Sequence, residues 1–147
     1  MWSERSFEEL PFLVAEDSED DLILLERAIQ QAGIHNPCIV AGSGVEAIEY
    51  LSASLHDPTL EHRFPVIMFL DLLMPRMDGI EVLHWLKDTP HPPLAVVLHT
   101  GVESEDMLSE ARDLGATFYL PKGSRPEALK EVFQRAKEEW EQSQLVH

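Results

Sequence analysis

Five side chains able to do chemistry each follow a short apolar run. Glu16 and Asp17 come after FLVA, Asp71 after VIMFL, Thr100 after LAVVLH, and Lys122 after TFYLP. Runs of this length read as buried strands, so each polar group stands at a strand's carboxyl end. An ionised carboxylate there is costly unless a partner, a cation or a reaction accounts for it. Brought together, three carboxylates would repel. Two like charges ~4 Å apart oppose one another by about 4 kcal/mol at an effective dielectric of ~20. One lysine cannot neutralise three such groups, but a divalent, oxygen-seeking cation can. Mg²⁺ takes one or two carboxylates, keeps several waters and leaves room for phosphate. A carboxylate beside such a metal is a credible nucleophile toward phosphorus, because carboxylates form acyl phosphates. Lys122 would then meet a phosphoryl oxygen as a point charge, and Thr100 would donate a hydrogen bond to another.

These groups need a scaffold that aligns strand ends. Strands are expected at residues 11–15, 37–41, 65–71, 94–99 and 117–120. Helices are expected from Ser18 to a stop at Gly33, over 44–55, over 80–87, over 104–114 with a stop at Gly115, and from Pro126 to about residue 140. Ser18 followed by Glu19, Asp20 and Asp21 has the form of a capped start with acids in the first turn. Residues 52–63, punctuated by Pro58, read as a long surface loop, and the tail beyond Gln142 as frayed.

Strand and helix alternate five times, which means a parallel sheet with helices on both faces and right-handed crossovers. The expected fold is α/β: a flavodoxin-like, doubly wound, five-stranded parallel sheet of order 2-1-3-4-5. In that order strands one and three are neighbours at the switch point where ligands bind. Glu16, Asp17 and Asp71 would share one shallow pocket there, flanked by Thr100 and Lys122. With no repeat or linker, residues 1–147 read as one domain. Its core would be about 10–140, with a short N-terminal extension and a C-terminal tail.

Eleven basic residues against 27 acidic ones leave a formal charge of −16. Residues 1–57 carry twelve Asp or Glu and only Arg5 and Arg27 as cations. Such a field disfavours nucleic acid and anionic membrane. No apolar run approaches the ~18 residues of a membrane span, and the acidic start does not have the order of a signal peptide. A cytoplasmic protein is expected. The lone Cys38 excludes an internal disulfide and reads as a small buried thiol.

Together, the Glu16-Asp17 pair, the segment DLLMPRMDG (71–79), Thr100, Tyr119 and Lys122 resemble a response-regulator receiver domain of two-component signalling, over roughly residues 10–140. The long loop before the third strand and the start FLVAEDSEDD are similar to stand-alone regulators that partner bacterial phytochromes. The resemblance implies that Asp71 accepts a phosphoryl group from a partner histidine kinase or histidine phosphotransfer protein. It implies Mg²⁺ held by Asp17, by Glu16 through water, by Asp71 and by the Leu73 carbonyl. It also implies a switch in which Thr100 moves toward the phosphoryl group and Tyr119 swings inward. An unidentified output protein is the expected partner, without nucleic acid or membrane, and a homodimer is open. Only about seven residues follow Trp140, so no output domain is expected.

Three departures stand out: Glu16 in place of the commoner aspartate, Gly123 where proline usually follows the lysine, and apolar Leu73 and Val102 at positions that tune water access. The last implies slow self-dephosphorylation. Two other functions compete. One is a phosphorylation-independent pseudo-receiver adaptor, against which the intact acidic set speaks. The other is an aspartyl-phosphate phosphatase of the haloacid-dehalogenase type, which needs Asp-x-Asp where this chain has Leu73.

Simpler readings apply elsewhere. Asp20 and Asp21 read as first-turn residues and Asp78-Gly79 as a turn and helix start. The histidines read as surface or connector residues, although His99 lies beside Thr100. Leu129, Val132, Phe133 and Ala136 form a packing stripe, which Trp140 extends to the core margin or to a partner.

Overall fold

The structure, a computed structural model, describes residues 6–57 and 63–145. Five parallel strands, β1 (Phe12–Ala15), β2 (Cys38–Ala41), β3 (Ile67–Leu70), β4 (Ala95–Leu98) and β5 (Phe118–Tyr119), form one sheet. Its order is β2-β1-β3-β4-β5. The helices are α1 (Glu19–Gln31), α2 (Gly44–His56), α3 (Gly79–Asp88), α4 (Glu105–Asp113) and α5 (Pro126–Leu145).

Period-two alternation explains the layering. Leu13, Met68, Leu70, Val96 and Leu98 point to a core shared with Leu51, Val82, Leu83 and Leu108, from α2, α3 and α4. Phe12, Val14, Ile67, Phe69 and Val97 point the other way, to Leu25, Ile29, Leu129 and Ala136 of α1 and α5. Both faces are covered, which is why the strands read as continuous apolar runs. Four helices start on side-chain caps: Ser18, Ser43, Asp78 and Ser104 accept from the backbone N–H three residues on. At Gly33, φ +75° provides the left-handed residue that ends α1.

Some expectations need correction. β3 ends at Leu70, so Asp71 is the first residue beyond the strand rather than its last. Residues 52–56 continue α2, and the loop begins after His56; positions 58–62 of that expected loop lie outside the described residues. The C-terminal segment is helical through Leu145 rather than frayed beyond Gln142, because EEWEQSQL contains no helix breaker. Cys38 is half-buried at the sheet edge, and burial pushes its thiol up to about 11.

The described part of the N-terminal extension, from Ser6 on, packs onto the domain. A short 3-10 helix, Phe7–Glu9, buries Phe7 against the edges of Phe133 and Trp140 at 5.3 and 5.6 Å between ring centroids. Trp140 therefore covers the core margin. The Asn36 side chain donates to the carbonyls of Phe7 and Leu10, and Lys137 pairs with Glu8.

Candidate functional site

Register brings the acidic groups together. Ala15 pairs with Leu70 at the ends of β1 and β3, so the chains leave side by side into Glu16 and Asp71. The Asp71 N–H donates to the Ala15 carbonyl at 3.1 Å, and the Glu16 N–H to that of Ala41 at 3.0 Å. Oxygens of Glu16, Asp17 and Asp71 lie within 4.8 Å of one another, with Asp17 exposed and the other two buried.

Asp71, 5% exposed, has donors on both oxygens. Oδ1 accepts from the Thr100 hydroxyl at 2.9 Å and the Leu73 N–H at 3.2 Å; Oδ2 accepts from Lys122 Nζ at 2.8 Å. Thr100 Oγ1 in turn accepts from the Val102 N–H at 3.3 Å. The Leu73 side chain is 61% exposed at the mouth of the site, whereas Val102 is buried. Tyr119 is 41% exposed and makes no inward contact with the acidic group among the described hydrogen bonds.

Lys122 reaches three carboxylates: Asp21 Oδ2 at 2.7 Å, Asp71 Oδ2 at 2.8 Å and Glu16 Oε1 at 3.0 Å. Burial alone would lower the ammonium's pKa, but these carboxylates outweigh it and hold it above the usual lysine value. Burial pushes the Glu16 carboxyl up, with the Asp71 charge adding, against the Ser18 N–H and Lys122. Glu16 Oε2 accepts from that N–H at 3.1 Å. Its buried Oε1 is met by the Lys122 ammonium, which it shares with Asp21 and Asp71. A buried anionic oxygen whose cationic neighbour is shared with two other carboxylates suits a hard divalent cation.

The turn carrying Lys122 is built without proline at position 123. Pro121 to Ser124 closes with an i→i+3 bond of 3.2 Å, and Gly123 takes φ +84°. Positive φ at the third residue is the requirement of a type II turn, which glycine meets. The loop after Asp71 is tight on its other side. Asp78 caps α3 and forms a capping box with Glu81, and the Gly79 N–H donates to the Leu72 carbonyl at 3.1 Å. Arg76 in this loop takes φ +68°.

Two participants escape the sequence reading. Asp21 is a first-turn residue of α1, as its local pattern says, but it also pairs with Lys122; that hydrogen bond holds its carboxyl below the usual value. His99 is buried rather than a surface residue. Burial and the Lys122 charge depress its pKa to about 4, against the opposing carboxylates of Asp71 and Asp21. Period two was the available signal, since His99 follows Val97 on the α1/α5 side.

Comparison with known proteins agrees with this architecture. The family described as the response regulator receiver domain matches residues 12–134, and the chain belongs to it. The chain is 32% identical over 109 residues to the DNA-binding transcriptional regulator NtrC of Escherichia coli (strain K12), covering 74% of this chain and 21% of that protein. It therefore spans about a fifth of that relative's length. Among solved structures, the phosphorylated cyanobacterial phytochrome response regulator RcpA aligns with a TM-score of 0.71 at 25% identity, over 90% of this chain and 94% of that one. The Mn(2+)-bound form of response regulator Rcp1 aligns at 0.66 and 28%, over 87% and 89%. Phytochrome and bacteriophytochrome response regulators are among its structural neighbours.

Proposed function

We propose that Asp71 accepts a phosphoryl group from a phosphohistidine on a sensor histidine kinase or histidine phosphotransfer protein, in a Mg²⁺-dependent reaction. Residues 10–140 would act as one receiver unit. An Asp71 oxygen forms the new bond to phosphorus as the phosphorus–nitrogen bond breaks, and the leaving imidazole takes up a proton. The observation that carries the reading is the contact of Lys122 Nζ with Asp71 Oδ2 at 2.8 Å, inside an acidic cluster spanning 4.8 Å.

Asp17, Glu16, Asp71 and the Leu73 carbonyl would hold the cation, which when bound would offset the acceptor's charge and meet a phosphoryl oxygen. Lys122 orients a second oxygen, and the Thr100 hydroxyl, already on Asp71, donates to a third. Tyr119 is exposed and free to turn inward as Thr100 follows the phosphoryl group. That movement would remodel the surface of α4, β5 and α5, a local charge change biasing a two-state element. RcpA, a phosphorylated neighbour, and Rcp1, a Mn(2+)-bound one, support both halves of this reading.

The output is a protein contact, which the net charge of −16 favours over nucleic acid or an anionic membrane. Among the described residues no helix is long and apolar enough to cross a membrane; a cytoplasmic site of action and self-association are part of the same proposal. The test is incubation with a small phosphodonor and Mg²⁺. One base-labile phosphoryl group should appear and vanish in Asp71→Asn. Labelling that survives this substitution, or no labelling of the wild type, overturns the reading and favours a pseudo-receiver adaptor.

A further inference from the structure

The acceptor, the metal set and the lysine do not account for Asp21. Its Oδ2 lies 2.7 Å from Lys122 Nζ, a contact as short as the one Lys122 makes with Asp71, across 101 residues of sequence. Asp21 is not in the cluster of Glu16, Asp17 and Asp71. It stands on the α1 side of the lysine, and its side chain is 33% exposed against 6% for Asp71 and 2% for Glu16. An ammonium held there is better solvated than one held in the acceptor pocket.

Lys122 has room to lean that way. Asp21, His99, Lys122 and Gly123 help to line a cavity of about 200 Å³ between α1 and α5, as do Leu25 and Leu129. The lysine's own backbone is loosely tied, its N–H reaching the Thr100 carbonyl only at 3.5 Å. Gly123, which follows it, has open space where a Cβ would stand.

A divalent cation and an ammonium cannot share Glu16 and Asp71 without repulsion. Resting on the phosphoacceptor reading, we propose that Asp21 is a positioning residue for Lys122. It receives the ammonium when a cation takes over Glu16 and Asp71, and it competes with the phosphoryl group for that ammonium afterwards. In its absence Lys122 stays on the acceptor pocket and opposes cation entry.

Mg²⁺ titrated calorimetrically into the unphosphorylated chain tests this without any phosphoryl transfer. Asp21→Asn should weaken Mg²⁺ binding by about fivefold or more, the scale of coupling between groups in contact. Asp20→Asn removes the same charge from the same helix turn and should change it less than about twofold. In a Lys122→Met background, Asp21→Asn should also change it less than about twofold, because the route through the lysine is gone. Equal effects of Asp20→Asn and Asp21→Asn overturn the proposal, as does an undiminished effect in the Lys122→Met background. A wild type that binds Mg²⁺ but shows either result removes only the role of Asp21. A wild type that binds no Mg²⁺ removes the phosphoacceptor reading as well.

Discussion

Gly79 and Asp71 touch through backbone alone: a Cβ on Gly79 would stand 2.7 Å from the Asp71 carbonyl oxygen and 2.9 Å from Leu72 Cα. Both contacts are main chain and cannot rotate away. The acceptor loop and the start of α3 are therefore built around an absent methyl. Gly79→Ala should cost about 1–3 kcal/mol, as overpacking does. It should also slow phosphoryl labelling, because the strain falls on the acceptor itself. Urea unfolding and labelling rate measure the two effects; a variant with wild-type values for both would contradict the contact.

Arg76, in the same loop, sits at φ +68°, where a side chain is strained and glycine is not. Arg76→Gly should stabilise the fold by about 0.5–1 kcal/mol, the relief exceeding the extra chain entropy. Arg76→Val should do the reverse, since branching at Cβ tolerates this region least. Thermal or urea unfolding of the two variants gives the signs.

His99 carries a pH signature. Its pKa of about 4 lies below the usual 6.5, so the unfolded chain binds the proton first as pH falls. His99 therefore leaves stability intact above pH ~6.5 and erodes it down to pH ~4, by about 3 kcal/mol in total. Glu16, raised when folded, acts in the opposite direction, losing stability as pH rises through its folded value. Comparing wild type with His99→Gln cancels the Glu16 contribution. The variant should lose less stability between pH 6.5 and 4; parallel curves would show that His99 is not buried as a neutral ring.

Leu73 is the accessible test of phosphoryl lifetime. Being 61% exposed, it tolerates a polar substitution that buried Val102 would not. Leu73→Asn should shorten the lifetime severalfold by giving a hydrolytic water a partner at the mouth of the site, with little change in stability. Following loss of label after removal of the phosphodonor reads this directly. An unchanged lifetime would place the control of water elsewhere.

Much of this arrangement is legible in the sequence because the strands are short, apolar and each followed by a polar group. Alternation of strand and helix points to a doubly wound parallel sheet. Its order 2-1-3-4-5 is the known flavodoxin-like one rather than a consequence of the pattern, and it is this order that brings Glu16, Asp17, Asp71, Thr100 and Lys122 together. Asp21 escaped because it has a sufficient local explanation: an acid in a capped first turn needs no distant partner. Its partner lies 101 residues away. His99 escaped because β4 was read for its end rather than its faces. The 3-10 segment at Phe7–Glu9 escaped because three residues are too few to show a period, and its stability comes from Phe133 and Trp140 rather than from itself.

The contact between Phe7 and Trp140 also dictates an order of assembly during synthesis. Every buried member of the α2/α3/α4 side of the core has been made by residue 116, so that half can condense as the chain emerges. The opposite half needs Leu129, Ala136 and finally Trp140. Phe7 is thus among the first of the core residues to leave the ribosome and must wait for almost the last. Until α5 arrives, the nascent chain exposes the part of that apolar side which α1 does not cover, and over that interval it is most open to aggregation.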